Sequence, residues 1–320
     1  MPPTLRDTSG DERVDSGLQA AVGLCEMVFP GRVRAYYLMG SYAKGAAIAA
    51  SDIDFDVVFA EKPDPETRAR AEELSEYCNR LDPPCGFSLR VEAELTTIGR
   101  VALKTGSLLL YGDDIRPRMP MPPLDQYLRA VMPQGPSFSR ERLRRVPRLR
   151  YPLHRPDPDD PFGGYLHTGR TKDLVQAVFW SVSALVALRT GTYVADRRHA
   201  LDTYREKIND EWTGFIAELF ELGREKLHYR VPQKQGDRRR FAALCRTALE
   251  FENSFLRLFR GFVLEELQSR RAERASWAVD QLELYWFADG ALQGVLGTEA
   301  AYWRSVPDPA LADRIAALTG

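Results

Sequence analysis

Three aspartates alternate with apolar residues in the stretch SDIDFDVVF, which runs from residue 51 to residue 59. Residues two apart share one face of a strand, so Asp52, Asp54 and Asp56 are predicted to lie side by side. Neighbouring carboxylates repel unless they are solvated, protonated or bridged by a cation. Mg²⁺ suits them, because it takes oxygen ligands and recruits phosphates. Asp52 and Asp54 are therefore candidate metal ligands, whereas Asp56 is an extra acid that either tunes the metal or faces solvent or a structural partner.

A Gly-Ser step precedes the aspartates, directly after the predicted strand Val33–Met39. Gly40 permits a tight turn and a close approach of the backbone. Ser41 can begin a short helix whose free N–H groups bind phosphate, and Lys44 adds a positive charge. Gly40, Ser41, Lys44 and Ser51 are therefore the candidate nucleotide-binding residues.

These two patterns together resemble the motif of the polymerase-β-like nucleotidyltransferase superfamily: Gly40-Ser41, ten residues, then Asp52 and Asp54. Within it, the chain resembles the minimal nucleotidyltransferases and the antibiotic (aminoglycoside-type) adenylyltransferases. Their G-S-x-A-x-G pattern is matched at residues 40–45, with Lys44 at a position that is often arginine. The segment LKTGSLLLYGDD (103–114) is similar to the tail of this domain, and LRTGTYVADRRHAL (188–201) and HYRVP (228–232) resemble the second domain of the adenylyltransferases more loosely.

The resemblance implies a Mg²⁺-dependent transfer of a nucleoside monophosphate, with ATP as the default donor. It also implies a third carboxylate on a neighbouring strand, for which FSLRVEAEL (87–95) offers Glu92 and Glu94 on its polar face. Glu92 is preferred and Glu94 stays as the alternative. Two Mg²⁺ ions would be held by Asp52, Asp54 and Glu92, with the glutamate as a ligand or a general base.

The acceptor is open to three interpretations. The preferred one is a hydroxyl of a small molecule, such as an aminoglycoside-like antibiotic. The second is tRNA or a protein, because the run 139–155 holds seven arginines and one glutamate and could bind RNA phosphates between Arg140 and Arg155. The same run could bind the triphosphate or be a solvated linker. The third is a non-catalytic nucleotide-binding module, which the intact Asp52 and Asp54 disfavour.

Proline content divides the chain, because eleven of its 21 prolines lie between residues 117 and 161. Proline breaks helices and removes a backbone donor, so this stretch is a poor place for a continuous core. The part before it alternates strand and helix signals, and the part after it is almost entirely helical. We expect an α+β fold: a nucleotidyltransferase domain with a small mixed sheet flanked by helices (1–116), a Pro- and Arg-rich linker (117–161) and an all-helical bundle that binds the substrate (162–320).

Hydrophobic periodicity places the elements. The predicted strands are Val33–Met39, Ile53–Ala60, Phe87–Leu95 and Ser107–Tyr111. The predicted helices are Leu18–Phe29, Pro65–Leu81, Lys172–Arg189, Ala195–Lys207, Glu211–Leu227, Arg240–Arg270 and Ser276–Leu296.

Bulk properties limit the function classes. A net charge of -1 gives the whole chain no strong field for DNA or a membrane. The four cysteines have no C-x-x-C spacing, so we expect no zinc site and a reducing compartment. The polar N-terminus does not resemble a signal peptide, and the most apolar stretch, 174–188, is shorter than the roughly 20 residues of a membrane span. We therefore expect a cytoplasmic protein with no membrane partner.

Overall fold

The computed structural model describes residues 3–287, 290–306 and 308–319, with the side chain of residue 286 left out. The chain folds into two compact units. Unit 1 comprises Met1–Tyr127 and Thr190–Thr203, and unit 2 comprises Leu128–Arg189 and Tyr204–Gly320. The chain therefore leaves unit 1, returns to it for one segment and leaves it again. The predicted domain boundaries, after residues 116 and 161, differ from the boundaries of these units. They stay a prediction.

Up to residue 131, helices and strands alternate. The elements are α1 (Glu12–Val28), β1 (Val33–Met39), α2 (Gly40–Ala43), β2 (Asp54–Phe59), α3 (Pro65–Cys78), β3 (Phe87–Val91), α4 (Thr97–Gly106), β4 (Leu108–Gly112) and α5 (Leu124–Val131), with a 3₁₀ turn at Glu92–Glu94.

From residue 134 onward, helices dominate. The elements are α6 (Gln134–Phe138), β5 (Leu149–Tyr151), α7 (Lys172–Thr190), α8 (Arg197–Lys207), α9 (Thr213–Leu219), α10 (Gln235–Gln268), α11 (Ala272–Leu284), β6 (Tyr285–Phe287), α12 (Gly290–Ser305) and α13 (Pro309–Ala317), with π-helical turns at Ser139–Arg144 and Phe220–Lys226.

Strands β1 to β4 form one mixed sheet in the order β3-β2-β1-β4. β1 is antiparallel to both β2 and β4, while β2 and β3 are parallel. The predicted α+β fold is confirmed, with a small mixed sheet and helices in the first part and many helices in the second. The strand predicted at Val33–Met39 has those bounds in the structure, whereas the strand predicted over Phe87–Leu95 already ends at Val91.

Both faces of this sheet are covered by apolar side chains, because alternate strand residues point to opposite faces. Tyr36 and Phe55 lie in a buried cluster with residues of α1 and α3. Tyr37 and Val58 lie in a second buried cluster on the other face, with Leu103 of α4. The aspartates of β2 belong to the second face, since they alternate with Phe55.

Helix α7 lies in the core of unit 2. By length and composition it could cross a membrane, but 67% of its apolar window is buried inside the structure. Burial on most sides explains its nearly uniform apolar sequence, which is typical of a core helix of a globular unit. The structure thus agrees with the interpretation of residues 174–188 as a buried helix.

A two-stranded sheet within unit 2 differs from the expected all-helical bundle. β5 and β6 pair in parallel, with Leu149 level with Tyr285 and Tyr151 level with Phe287. β6 interrupts the helix predicted at Ser276–Leu296, of which residues 288 and 289 lie outside the described residues. Aromatic residues favour strands, and here that preference prevails over the helical periodicity on both sides.

Three of the seven arginines in the run 139–155 make contacts inside unit 2. Arg140 donates to the backbone oxygen of Pro147 at 3.1 Å, and Arg148 donates to that of Leu282 at 2.9 Å. Arg144 donates to both carboxylate oxygens of Glu252, at 3.1 Å each. These contacts give the three arginines a structural role, and the RNA interpretation gains no support.

Glu252 is the centre of a buried polar network. The hydroxyls of Ser139 and Tyr165 each donate to one of its oxygens at 2.6 Å, in addition to the two bonds from Arg144. The side chains of Arg144 and Glu252 are 8% and 7% exposed. A buried ion pair whose charge is fully hydrogen-bonded is tolerated, but the loss of one partner leaves the other charge buried and unpaired.

We therefore expect Glu252→Gln to lower the free energy of unfolding by about 3 kcal/mol, measured by urea denaturation. The matched control is Glu218→Gln, which breaks an exposed pair with Arg240 at 2.8 Å and should cost less than about 1 kcal/mol. Equal midpoints for the two variants would contradict a stabilising role for the buried network.

Candidate active site

The last residue of β1 and the first residue of β2 lie at the same end of the sheet. This end, with Asp52 and Asp54, is named the acidic edge. Met39, the last residue of β1, lies opposite Asp54, the first residue of β2. Gly40 follows with φ +66°, in the left-handed region that favours glycine. A Cβ atom at Gly40 would overlap Oδ2 of Asp54 and lie 3.1 Å from its Cγ. The carboxylate of Asp54 therefore lies directly against the backbone of the Gly-Ser step.

The loop before β2 places two exposed acids next to this step. Asp52 and Asp54 are both exposed. Ser51 closes a turn immediately before them: its N–H donates to the Ile48 oxygen at 2.8 Å, and its Oγ accepts from the Ile48 N–H at 2.9 Å. The predicted nucleotide-binding residue Ser51 thus has a structural role in fixing the start of the acidic segment.

The predicted phosphate-binding residues lie in and just after α2, a helix of four residues. The carbonyl oxygen of Ser41 accepts from the N–H groups of Ala46 at 2.9 Å and Lys44 at 3.3 Å. Nζ of Lys44 donates to the backbone oxygen of Thr105 at 2.6 Å, in the last turn of α4. A cation is favourable at this end of a helix, so one donor of the Lys44 ammonium is already bound within the chain.

The segment Thr190–Thr203 also reaches this region, which the sequence analysis missed. A Cβ atom at Gly106 would lie 3.3 Å from Cε of Lys44 and 3.4 Å from the backbone oxygen of Ala195. The ring of Tyr193 packs 5.0 Å from that of Tyr127, between centroids. The signal for a new segment was Gly191, which follows α7 with φ +68°, but nothing in the local sequence assigns the segment to unit 1.

Neither Glu92 nor its alternative Glu94 joins Asp52 and Asp54, contrary to the predicted site of Asp52, Asp54 and one of these glutamates. β3 runs parallel to β2 and ends with Val91 level with Phe59, the last residue of β2. The two glutamates follow on the 3₁₀ turn, beyond the far end of both strands. Because Asp54 begins β2, the length of this strand, about 16 Å, lies between the two sets of carboxylates.

Both glutamates are held by basic residues where they lie. Nε and Nη2 of Arg118 each donate to one oxygen of Glu92 at 3.0 Å, and Arg34 approaches the same carboxylate at 3.9 Å. Lys62 pairs with Glu94 at 2.7 Å and lowers the pKa of that carboxyl. The expectation of a third carboxylate from this strand is therefore not met by the geometry, because the strand direction carries residues 92 and 94 away from the acidic edge.

Asp56 is the acid nearest to Asp54 along β2, and it is buried rather than solvated. Its side chain is 12% exposed and lies 3.3 Å, through Oδ1, from Nε of Arg90 on β3. Burial raises the pKa of Asp56, although the guanidinium of Arg90 opposes that shift. Three alternatives were open for Asp56: the metal, solvent or a structural partner. In the structure it has a structural partner, Arg90.

The acidic edge can accept a cation with two carboxylates. Within the part of the chain that the structure describes, no group of three or more His, Cys, Asp or Glu side chains is placed to hold a metal ion. Asp52 and Asp54 offer oxygen ligands, and one or two carboxylates are the usual protein share of a Mg²⁺ site that also includes phosphate and water. The donor chemistry of the edge therefore suits Mg²⁺ together with a phosphorylated substrate.

Part of the chain is similar to a known protein family. Residues 24–130 match the family model described as a nucleotidyltransferase domain. Among solved structures, the chain is similar to spectinomycin adenyltransferase AAD(9) from Enterococcus faecialis, solved with ATP and spectinomycin (11% identity, 73% of this chain, 98% of that chain, TM-score 0.46). It is also similar to a toxin-antitoxin solved with AMP-PNP (22% identity, 40% of this chain, 92% of that chain, TM-score 0.25). No curated protein sequence is a match for the chain.

Gly40→Ala tests the close approach of Asp54. We expect it to weaken Mn²⁺ binding, measured by electron paramagnetic resonance, on the order of tenfold or more, because the new methyl group displaces one of two carboxylate ligands. The matched control is Gly45→Ala: Gly45 has φ +62° and no atom of the described residues within 4 Å of such a methyl group. Both variants carry the backbone strain of a positive φ, so equal Mn²⁺ affinities would show that the contact with Asp54 does not matter.

Proposed function

We propose, on the premise that residues 24–130 belong to the nucleotidyltransferase domain family, that this chain transfers AMP from ATP to a hydroxyl group of a small molecule. The acceptor class that we expect is an aminoglycoside-like antibiotic. The observation that carries the proposal is the contact of the Asp54 carboxylate with the Gly40 backbone, beside the exposed Asp52.

The Gly-Ser step would bind the triphosphate. Gly40 has no side chain to keep a phosphate away, so the backbone can approach the ligand closely. The hydroxyl of Ser41 can donate to a phosphate oxygen. An ammonium group has three donors, so Lys44 keeps donors for phosphate beside its bond to Thr105.

Asp52 and Asp54 would hold Mg²⁺. Two carboxylates suit this ion when the phosphates of the substrate supply further oxygen ligands. When bound, Mg²⁺ neutralises charge on the triphosphate and lowers the pKa of an acceptor hydroxyl. Without the ion, the same two carboxylates would repel the triphosphate, so we expect nucleotide binding to require a divalent cation.

The reaction follows from this placement. The acceptor oxygen forms a bond to the α-phosphorus while the bond from that phosphorus to the bridging oxygen breaks, so that pyrophosphate leaves and the hydroxyl proton passes to solvent or a nearby base. Such transfers ask the protein mainly to position the groups and to balance charge. In the proposed function, the residues at the acidic edge and the Gly-Ser step supply both.

A small-molecule acceptor is favoured over RNA by the distribution of charge. Arg140, Arg144 and Arg148 are engaged inside unit 2, and the net charge of the chain is -1. RNA binding depends on many phosphate contacts from basic side chains. The experiment that separates the acceptors is incubation with radiolabelled ATP, Mg²⁺, tRNA and a panel of antibiotics. Label on an antibiotic supports the proposal, and label on tRNA alone contradicts it.

Asp54→Asn tests the role of the acidic edge. We expect this isosteric change to reduce transfer on the order of 100-fold or more, because the amide is a poor Mg²⁺ ligand, while the urea midpoint stays near that of the wild type. The measurement is the rate of pyrophosphate release in the presence of an acceptor from the panel.

The matched control is Asp113→Asn, which makes the same change at an aspartate 71% exposed and 3.8 Å from Arg34. Glu92→Gln is the second comparison. Because Glu92 pairs with Arg118 at the far end of the sheet, we expect this variant to keep its activity. Full activity of Asp54→Asn, or a loss in Glu92→Gln as large as that in Asp54→Asn, would overturn the assignment of the site.

A further inference from the structure

Arg90 lies on the same sheet face as the acids of β2. In the parallel pair β2–β3, Asp56 is level with Ser88 and Val58 is level with Arg90. Residues that are level in neighbouring strands, and residues two apart in one strand, share a face. The side chain of Arg90 therefore lies on the face of Asp54 and Asp56, and its Nε is 3.3 Å from Oδ1 of Asp56.

The two partners of this ion pair differ in exposure. The side chain of Asp56 is 12% exposed, whereas that of Arg90 is 48% exposed. One contact through Nε neutralises the buried carboxylate. A guanidinium has five N–H donors, and the contact given for this pair, through Nε, uses one of them. With 48% of its side chain exposed, Arg90 can also be reached by a ligand from solvent.

The guanidinium of Arg90 has the right donor geometry to bind a phosphate group. Two parallel N–H donors in one plane match two oxygens of a phosphate group, which a lysine ammonium cannot do. A guanidinium that is already held through Nε also loses little conformational freedom on binding.

The pair lies close to the acidic edge. Asp54 and Asp56 are two residues apart, which is about 7 Å of strand. The inference requires that the β- and γ-phosphates of a nucleotide held at Asp54 extend from the Gly-Ser step toward β3. The negative charge that develops in the reaction collects on the pyrophosphate group. A guanidinium held next to that group would therefore favour its departure.

We propose that Arg90 binds the β- and γ-phosphates of the nucleotide, which leave together as pyrophosphate, and that Asp56 is a positioning residue that orients the guanidinium. This inference rests on the proposed function, because it takes Asp54 as the place where the nucleotide binds. It adds a phosphate ligand from β3, the strand that was expected to supply a carboxylate.

The test is the affinity of three ligands, pyrophosphate, ATP and AMP, measured by isothermal titration calorimetry with Mg²⁺. Arg90→Gln should weaken the binding of pyrophosphate and ATP on the order of 10- to 100-fold, the loss of a hydrogen bond to a charged group, and leave AMP unchanged. Asp56→Asn should show the same selectivity with a smaller loss. The matched control is Arg70→Gln, at an arginine of α3 that is 59% exposed and bonded to Glu66 at 3.2 Å.

Each outcome decides the inference. If Arg90→Gln changes only the urea midpoint and binds pyrophosphate like the wild type, the arginine merely neutralises Asp56 and the inference is wrong. An equal loss for AMP and pyrophosphate also overturns it, because the site as a whole is then disturbed. A wild-type chain that binds neither ATP nor pyrophosphate refutes both proposals. A wild-type chain that binds both but modifies no acceptor refutes the proposed function alone, and the Arg90 variant then still decides the inference.

Discussion

The antiparallel pairing of β1 with β2 is the constraint on which the candidate site depends. It brings the last residue of one strand opposite the first of the other, so that Gly40 and Asp54 meet. The contact is possible only without a side chain at position 40. Apolar clusters on both faces hold this register, because a shift by one residue would turn every buried side chain of β2 toward the wrong face. The position of the acidic edge thus follows from core packing rather than from the acids themselves.

Local periodicity was enough to predict the parts of the fold in which neighbours along the chain decide the structure. The aromatic and β-branched content of VRAYYLM predicts β1 with its observed bounds, and the alternation after Asp52 locates β2 to within a residue or two. The spacing of the Gly-Ser step and the aspartates also indicated that these two features belong to one site, and the structure adds the contact of Gly40 with Asp54. A short loop between two adjacent strands leaves few other arrangements.

Pairings between distant residues could not be predicted in the same way. Glu92 looked suitable because it alternates with apolar residues, but strand direction and register decide where it lies, and no local pattern encodes them. The ion pair of Asp56 with Arg90 depends on the same register. β6 forms within a predicted helix because a partner strand more than a hundred residues earlier is available to pair with it. In each case the deciding contact is remote in sequence.

The return of the chain to unit 1 has a consequence for its modularity. A fragment cut after residue 127 would retain nearly all of the matched domain but would lack Tyr193, whose ring packs on Tyr127, and Ala195, which lies beside Gly106. Unit 1, which contains the candidate site, therefore does not end where the match to the family model ends. A chimera that replaces unit 2 should therefore keep residues 190–203 of this chain. Without them, the ring of Tyr127 loses its contact with Tyr193 and becomes exposed.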